Sequence, residues 1–443
     1  MFVCTECSGK FLKWTGKCTQ CNSWSTLTEV ADEPKKRGSR ALHAEVATIS
    51  LAQISHTDTR TRRLSTGIAV VDELLGGGIV PGSLILLAGE PGIGKSTIVM
   101  QMAIAAAGVL YISGEESAEQ VGLRLQRLDA QKKSDVQFVG TTDFEQVAIA
   151  IRTHPPTLAI VDSVQTMRHP DVASEPGNVA QIRAVANGLM ELANQTGVPI
   201  IVIGHVTKDG SVAGPKTLEH LVDVVISLEG ERSDRLRFLR CFKNRFGPTD
   251  EVAVLEMVES GLQPVADPSG LLLEERSLPV PGTAVTCLMD GNRPLLVEIQ
   301  ALTTRTTFGF PQRRAQGVDS ARLQILLAVL GRRMGLPVDQ YDVFVNVVGG
   351  ISADEPAADL AICMAIASSL SDKIIPQTVV AFGEVGLSGE IRRVKNVDKR
   401  LKEAERQGFK FALVPQMKNA PSLKNLKIAP ITDIKSVLEK IEK

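Results

Sequence analysis

The chain has 443 residues, 44% hydrophobic and 22% charged, with 49 basic side chains against 50 acidic ones. These are ordinary globular values, so global disorder is excluded. A net charge of −1 excludes a polycation, and any nucleic-acid binding must use local basic patches. At about 150 residues per domain, about three domains are expected, or two with small modules. No apolar run reaches the roughly 18 residues of a membrane span, and Met1–Cys7 lacks the basic-then-apolar pattern of a secretory signal. Seven cysteines, an odd number in a long chain, argue against a disulfide framework and for the reducing cytosol.

Four of the seven, Cys4, Cys7, Cys18 and Cys21, are spaced Cys-x2-Cys-x10-Cys-x2-Cys. Each pair closes a tight knuckle, and two knuckles complete a tetrahedral four-thiolate site for zinc, or less often for iron. Residues 1–28 have too little core to fold alone, so the metal supplies the folding energy. With all four positions filled by protein, the site is structural. Trp14 and Trp24, the two tryptophans of the chain, lie here with Lys10, Lys13 and Lys17. They either offer a contact surface or cover the metal.

Residues 29–58 are polar and mixed, as in a linker. From there to residue 265 apolar runs alternate with helical patterns, the βαβ pattern of a parallel sheet. Strands are expected at Ser83–Ala88, Val109–Ser113, Leu158–Val161, Ile200–Ile203 and Val224–Leu228. The first runs into Gly89-Glu90-Pro91-Gly92-Ile93-Gly94-Lys95-Ser96-Thr97, a G-x4-G-K-S loop ahead of a helical pattern. The glycines let backbone N–H groups turn toward phosphate oxygens. Lys95 then neutralises the β- and γ-phosphates of ATP, and Ser96 reaches Mg²⁺. Asp162, at the tip of a buried strand, is the second candidate for the Mg²⁺ shell. Glu115 is the first candidate to orient the attacking water and Glu116 the second, since both follow the strand Val109–Ser113.

The preamble Ser65–Ile79, the phosphate loop, the Glu after the next strand and Asp162-Ser163 together resemble the RecA-like ATPase core. With Lys243-Asn244-Arg245-Phe246-Gly247 added, nearly the whole chain resembles the bacterial RadA (Sms) family of recombination and repair ATPases. The resemblance implies an α/β fold with a RecA-like P-loop core, an N-terminal zinc ribbon and a C-terminal α+β Lon-peptidase-like domain. The implied spans are 1–28 for the ribbon, 29–58 for the linker, 59–265 for the ATPase domain and 270–443 for the Lon-like domain. It further implies that Lys243 and Arg245 reach the γ-phosphate of a neighbouring subunit, as an arginine finger does, rather than forming a solvated turn. His205 stands where RecA carries a γ-phosphate sensor, although an ordinary core histidine fits the residue equally well. The loop 207–216, with Lys208 and Lys216, and the loop Met167–Val179 resemble the DNA-facing loops of the RecA fold.

In the C-terminal part, Gly349–Asp359 and Phe382–Ile391 resemble the peptidase domain of Lon proteases. The nucleophile position holds Ala357. The position of the base falls at Asp398, with Lys395 and Lys399 nearby, so the Ser–Lys dyad is absent. Helices are expected at Ser320–Arg333, Ala357–Ser369 and Lys395–Gln407. Glu390–Lys402 carries six cations against two acids, and Thr303–Phe310 leads into Arg313-Arg314. These stretches are either nucleic-acid contacts or solvated faces. Cys241, Cys287 and Cys363 read as core residues.

The resulting expectation is a cytoplasmic DNA-dependent ATPase of recombination and repair. It uses ATP, Mg²⁺ and Zn²⁺, acts on ssDNA and branched DNA with the RecA recombinase, and assembles as a hexameric ring. An ATP-dependent protease is excluded by Ala357. A KaiC-like regulatory ATPase without a DNA substrate shares the core but not the metal ribbon or the K-N-R-F-G stretch.

Overall fold

The computed structural model describes residues 2–7, 9–11, 13–29, 63–129, 134–205, 218–230, 235–274, 276, 279–307, 309–417 and 421–437. The expected linker, except for residue 29, and the basic loop 207–216 lie outside them. The chain divides into two compact units between residues 58 and 59.

In the first unit, strand β1 (Phe2–Cys4) pairs antiparallel with β2 (Lys10–Phe11) and β3 (Leu27–Glu29). The small core beneath them is Cys4, Cys18 and Leu27, backed by Phe2, Cys7, Phe11 and Cys21. Neither tryptophan belongs to it.

The second unit opens with a nine-stranded sheet. Its strands are β4 (Leu84–Gly89), β5 (Val109–Ser113), β6 (Val136–Gly140), β7 (Leu158–Asp162), β8 (Ile200–His205), β9 (Val224–Glu229), β10 (Leu236–Asn244), β11 (Val252–Val258) and β12 (Gly261–Pro264). They lie in the order β12-β11-β10-β9-β4-β8-β7-β5-β6. From β9 to β6 neighbours run parallel, and β10, β11 and β12 extend the sheet antiparallel. β4, β5 and β7 are buried along their whole length, which is why they read as continuous apolar runs.

Helices α1 (Ala69–Leu74), α2 (Lys95–Ala105) and α3 (Ala118–Leu128) pack on one face, with Val71, Ile98, Val99 and Val121 in its core. Helices α4 (Phe144–Thr153) and α5 (Val179–Thr196) cover the other through Val147, Ile151, Ile182 and Leu189. Their starts are set by side-chain caps: Ser117 with Gln120, Asp143 on the Glu145 N–H, and Asn178 on the Ala180 N–H. The amide of Gln101 in α2 donates to the Leu262 carbonyl at 3.0 Å and accepts from its N–H at 2.9 Å, so α2 is fastened to the edge strand β12.

After helix α6 (Pro268–Glu274) a second sheet follows. Its strands are β13 (Thr283–Asp290), β14 (Arg293–Arg305), β15 (Arg313–Gln316), β16 (Tyr341–Val347), β17 (Val379–Ala381), β20 (Phe411–Pro415) and β21 (Lys427–Ile431), in the order β15-β16-β14-β13-β17-β20-β21. β18 (Glu384–Val385) and β19 (Ile391–Arg392) form a separate pair. The helices are α7 (Ser320–Val329), prolonged by a π turn to Met334, α8 (Asp359–Ser371) and α9 (Val397–Arg406). α8 is buried from Asp359 to Ser368. Arg240 on β10 joins the two sheets, bonding Glu229 at 3.4 Å and Asp290 at the end of β13 at 2.6 Å.

Candidate functional site

The phosphate loop leaves β4 at Gly89 and enters α2 at Lys95. Gly94 has φ 116°, a left-handed backbone that favours glycine, and a Cβ there would meet the flexible Met257 methyl at 2.6 Å. Lys95 is 4% exposed. Its ammonium donates to the carbonyls of Gly89 at 2.9 Å and Glu90 at 2.8 Å. Burial pulls its pKa down to about 8, against the attraction of Asp162, Glu115 and Glu90. From behind, Arg237 on β10 donates to the Ile93 carbonyl at 3.1 Å, fixing the loop.

Asp162 ends β7 and is buried beside this lysine. Its carboxylate accepts from the Tyr111 hydroxyl at 2.6 Å, and the nearby Ser96 hydroxyl favours its charged form. Burial pushes the Asp162 carboxyl up, and it pushes the Tyr111 phenol up as well. Glu115 accepts from the Ser163 hydroxyl and lies 3.5 Å from Nε2 of His205. The His205 hydrogen bond, opposed by burial and helped by Ser163, holds its carboxyl below the usual range. Glu116 is spent elsewhere, since Arg124 donates to both of its oxygens at 2.6 Å. Lys95, Ser96, Asp162, Glu115 and His205 therefore meet at the carboxyl ends of β4, β5, β7 and β8, with Gly89–Thr97 as the rim.

Lys243 and Arg245 are not part of this cluster. Lys243 donates to the carbonyls of Glu219 and Val222, each at 2.8 Å, and burial lowers its pKa. Arg245 pairs with Asp223 at 3.0 Å while 55% exposed. Asp223 in turn accepts from the N–H of Leu84, the first residue of β4. Both cations thus stand at the amino end of the strand whose carboxyl end forms the phosphate loop. At about 3.3 Å per residue, the six residues of β4 set them roughly 16 Å from their own loop.

The expected loop Met167–Val179 is built around the buried Gln181. Its amide donates to the carbonyls of Val172 and Ser174, each at 2.8 Å, and accepts from the His169 N–H at 2.8 Å. Phe144 stacks on His169 with ring centroids 4.9 Å apart. Lys208 and Lys216 lie outside the described residues.

In the ribbon the four cysteine sulfurs all lie within 4.8 Å of one another. Cys4 and Cys21 are 3.6 Å apart, as are Cys7 and Cys18. A tetrahedral zinc with Zn–S near 2.3 Å needs sulfurs about 3.8 Å apart, so the donor set fits. The Thr26 hydroxyl beside Cys4 favours the thiolate, pulling its pKa down to about 6.

At the position of the peptidase nucleophile Ala357 is buried, and Asp398 on α9 is exposed. Arg400, 1% exposed, fills the interior instead. It donates to both oxygens of Glu355 at 2.8 and 2.6 Å and to the carbonyls of Cys287 and Lys395. The expected cation run is correspondingly less of a surface. Arg400 faces inward, Arg392 pairs with Glu384 and Glu390, and Arg393 donates to the Gln416 carbonyl. Cys241, Cys287 and Cys363 are buried, as the core reading has it.

A family model described as an AAA domain matches residues 51–211. A rubredoxin metal binding domain matches 2–29, and subunit ChlI of Mg-chelatase matches 305–418. DNA repair protein RadA of Halalkalibacterium halodurans is 46% identical over 421 residues, which are 94% of this chain and 92% of that protein. The same protein of Bacillus subtilis is 44% identical and that of Escherichia coli 43%, with equal coverage. The chain belongs to the DNA repair protein RadA family. The crystal structure of the RadB recombinase overlaps 46% of this chain and 99% of its own at a TM-score of 0.37 and 22% identity, which adds nothing to that assignment.

The architecture of this RadA-family chain is a RecA-like P-loop ATPase core with an N-terminal zinc ribbon and a C-terminal Lon-peptidase-like domain. Four side chains at the RadA nucleotide site escape sequence reasoning: Ser163, Tyr111, Arg124 and Arg237. Tyr111 carries a signal, since a buried tyrosine near a strand tip needs a partner for its hydroxyl. The others become neighbours of the site only through folding.

Proposed function

We propose that this chain is a cytoplasmic DNA-dependent ATPase of homologous recombination and repair. It binds ssDNA and branched intermediates and moves along DNA with ATP hydrolysis, driving branch migration together with the RecA recombinase. The observation that carries the reading is the convergence of Lys95, Ser96, Asp162 and Glu115 at one end of the sheet, with Lys243 and Arg245 at the other.

Lys95 turns from the Gly89 and Glu90 carbonyls to the β- and γ-phosphates of ATP. The N–H groups of the loop take the remaining phosphate oxygens. When bound, Mg²⁺ would neutralise charge developing on the phosphates, and Ser96 and Asp162 are the residues that would hold it. Tyr111 fixes the Asp162 carboxylate by its hydrogen bond. Glu115, ionised and aimed by Ser163 and His205, orients the attacking water. His205 ends β8 and senses the γ-phosphate for the loop that follows.

Lys243 and Arg245 are too far from their own phosphate loop to serve it, so they complete the site of the next subunit. That requires a closed assembly, which we take to be a hexameric ring with the Lon-like domains as one tier. The loops near 170 and 210 carry the stroke to DNA. Zn²⁺ in the four-cysteine site holds the ribbon folded.

ATP turnover measured with and without ssDNA tests the reading. Stimulation by ssDNA is expected. A rate indifferent to DNA overturns it in favour of a KaiC-like regulatory ATPase.

A further inference from the structure

Trp14 is 60% exposed and Trp24 is 71% exposed, and neither contributes to the ribbon core. Large aromatic side chains left in water at this level mark a contact surface when they are grouped. These two are grouped. A Cβ built on Gly16 would stand 3.9 Å from one Trp24 ring atom and 4.0 Å from one Trp14 ring atom. The two rings therefore flank the open space over that glycine. The backbone beneath is fixed: Lys17 bridges antiparallel to Trp24, and the Ser25 N–H donates to the Gly16 carbonyl at 2.9 Å. The Lys17 ammonium sits 5.7 Å from the centre of the Trp24 ring, and Lys13 is exposed on the same segment.

Charge selects among partners. The ribbon carries Lys10, Lys13 and Lys17 against Glu6 and Glu29, so its positive charge is local: Lys13 and Lys17 flank Trp14 in the sequence, and Lys17 lies over the Trp24 ring. Flat aromatic faces beside cations suit unstacked bases on a phosphate backbone, because every base has a π-face and each phosphate meets a lysine. We propose that Trp14 and Trp24 form a stacking platform for the bases of single-stranded DNA, with Lys13 and Lys17 taking its phosphates. This deepens the DNA reading above and rests on it.

Both tryptophans of the chain lie in the ribbon, so tryptophan emission reports this surface alone, while a label on the DNA reports binding anywhere. The full-length protein is titrated with a labelled single-stranded oligonucleotide, following tryptophan quenching and label anisotropy together. Quenching that saturates with the anisotropy is expected. Trp24→Ala weakens binding by about 10-fold, Trp24→Phe restores most of it, and Lys17→Ala flattens the salt dependence by about 0.7 in slope. A rise in anisotropy without quenching overturns the platform and leaves the DNA reading standing. No change in either overturns both. A shift in emission caused by purified recombinase but not by DNA assigns the face to a protein and overturns the proposal. Zinc content of each variant, unchanged from wild type, shows that the ribbon is still folded, as exposed rings outside the core predict.

Discussion

Arg124 grips Glu116 through both carboxylate oxygens at 2.6 Å, whereas Glu115, at the tip of β5, is held by Ser163 and His205 and has no arginine on it among the described residues. The fork of an arginine matched to a carboxylate is a strong and directional bond. A glutamate held so, eight residues back from its partner, is not available to water at the phosphate.

The first prediction follows from that division of labour. Glu115→Gln should retain ATP binding and slow hydrolysis by about 10²–10³-fold, the range of a lost general base. Glu116→Gln should lower turnover by less than about tenfold, through a loosened α3. Equal losses in single-turnover assays of the two variants count against the assignment.

Lys95 yields a proton-linkage prediction. Without nucleotide its pKa is about 8, because burial disfavours the ammonium. Phosphates favour the charged form and raise the pKa. Binding of ATP should therefore take up a proton above about pH 8, and affinity should fall as pH rises through that region. Calorimetry at pH 9 in buffers of different ionisation enthalpy measures the uptake. Lys95→Ala should abolish hydrolysis and remove this proton uptake, and uptake that persists in the variant refutes the linkage.

The separation of Arg245 from its own loop predicts complementation. Lys95→Ala subunits keep their cations, and Arg245→Ala subunits keep their phosphate loops. Each variant alone should be inactive. An equal mixture, co-assembled at random, pairs an intact loop with a neighbour's intact cation in about a quarter of sites, with a matching share of turnover. A mixture as dead as its components would mean that Arg245 does not act across subunits.

In the C-terminal domain, the wild type and Ala357→Ser should both leave casein undigested, since the expected position of the base holds Asp398, an exposed acid that cannot serve as the lysine of a Ser–Lys dyad. Arg400→Ala should destabilise this domain by about 3 kcal/mol, because Glu355 loses its bidentate partner in the interior. Urea unfolding followed by proteolysis of the domain reads that loss. Peptidase activity in either of the first two chains would overturn the absence of a Ser–Lys dyad.

What the sequence discloses depends on how locally each feature is determined. β4, β5, β7, β8 and β9 are legible because strands covered on both faces are apolar throughout, and their observed ends fall within two residues of the expected ones. β10 is not, because Arg237, Arg240 and Lys243 interrupt its pattern. Each of these charges is reconciled by a distant partner: Ile93 for Arg237, Asp290 for Arg240 and Glu219 for Lys243. Asp162 and Glu115 are legible as polar groups at strand tips, and Lys95 as the cation that closes a glycine-rich loop ahead of a helix. The difference between Glu115 and Glu116 is not, since the Arg124 bond to Glu116 exists only once α3 has formed. The cation run near 400 misleads for a related reason. The period of α9 turns Arg400 inward with Leu401 and Ala404, and composition alone is blind to facing.

Gln101 has a consequence for how copies of this chain meet. Its amide occupies the outward N–H and carbonyl of Leu262, the two groups with which β12 would recruit another strand. An edge with free groups is a template for uncontrolled lateral pairing between molecules. With that pair taken by a side chain from the same fold, the nine-stranded sheet cannot zip onto a second sheet at this point. Copies of this chain are thereby kept from fusing edge to edge at Leu262, and any association there is left to surfaces made of side chains.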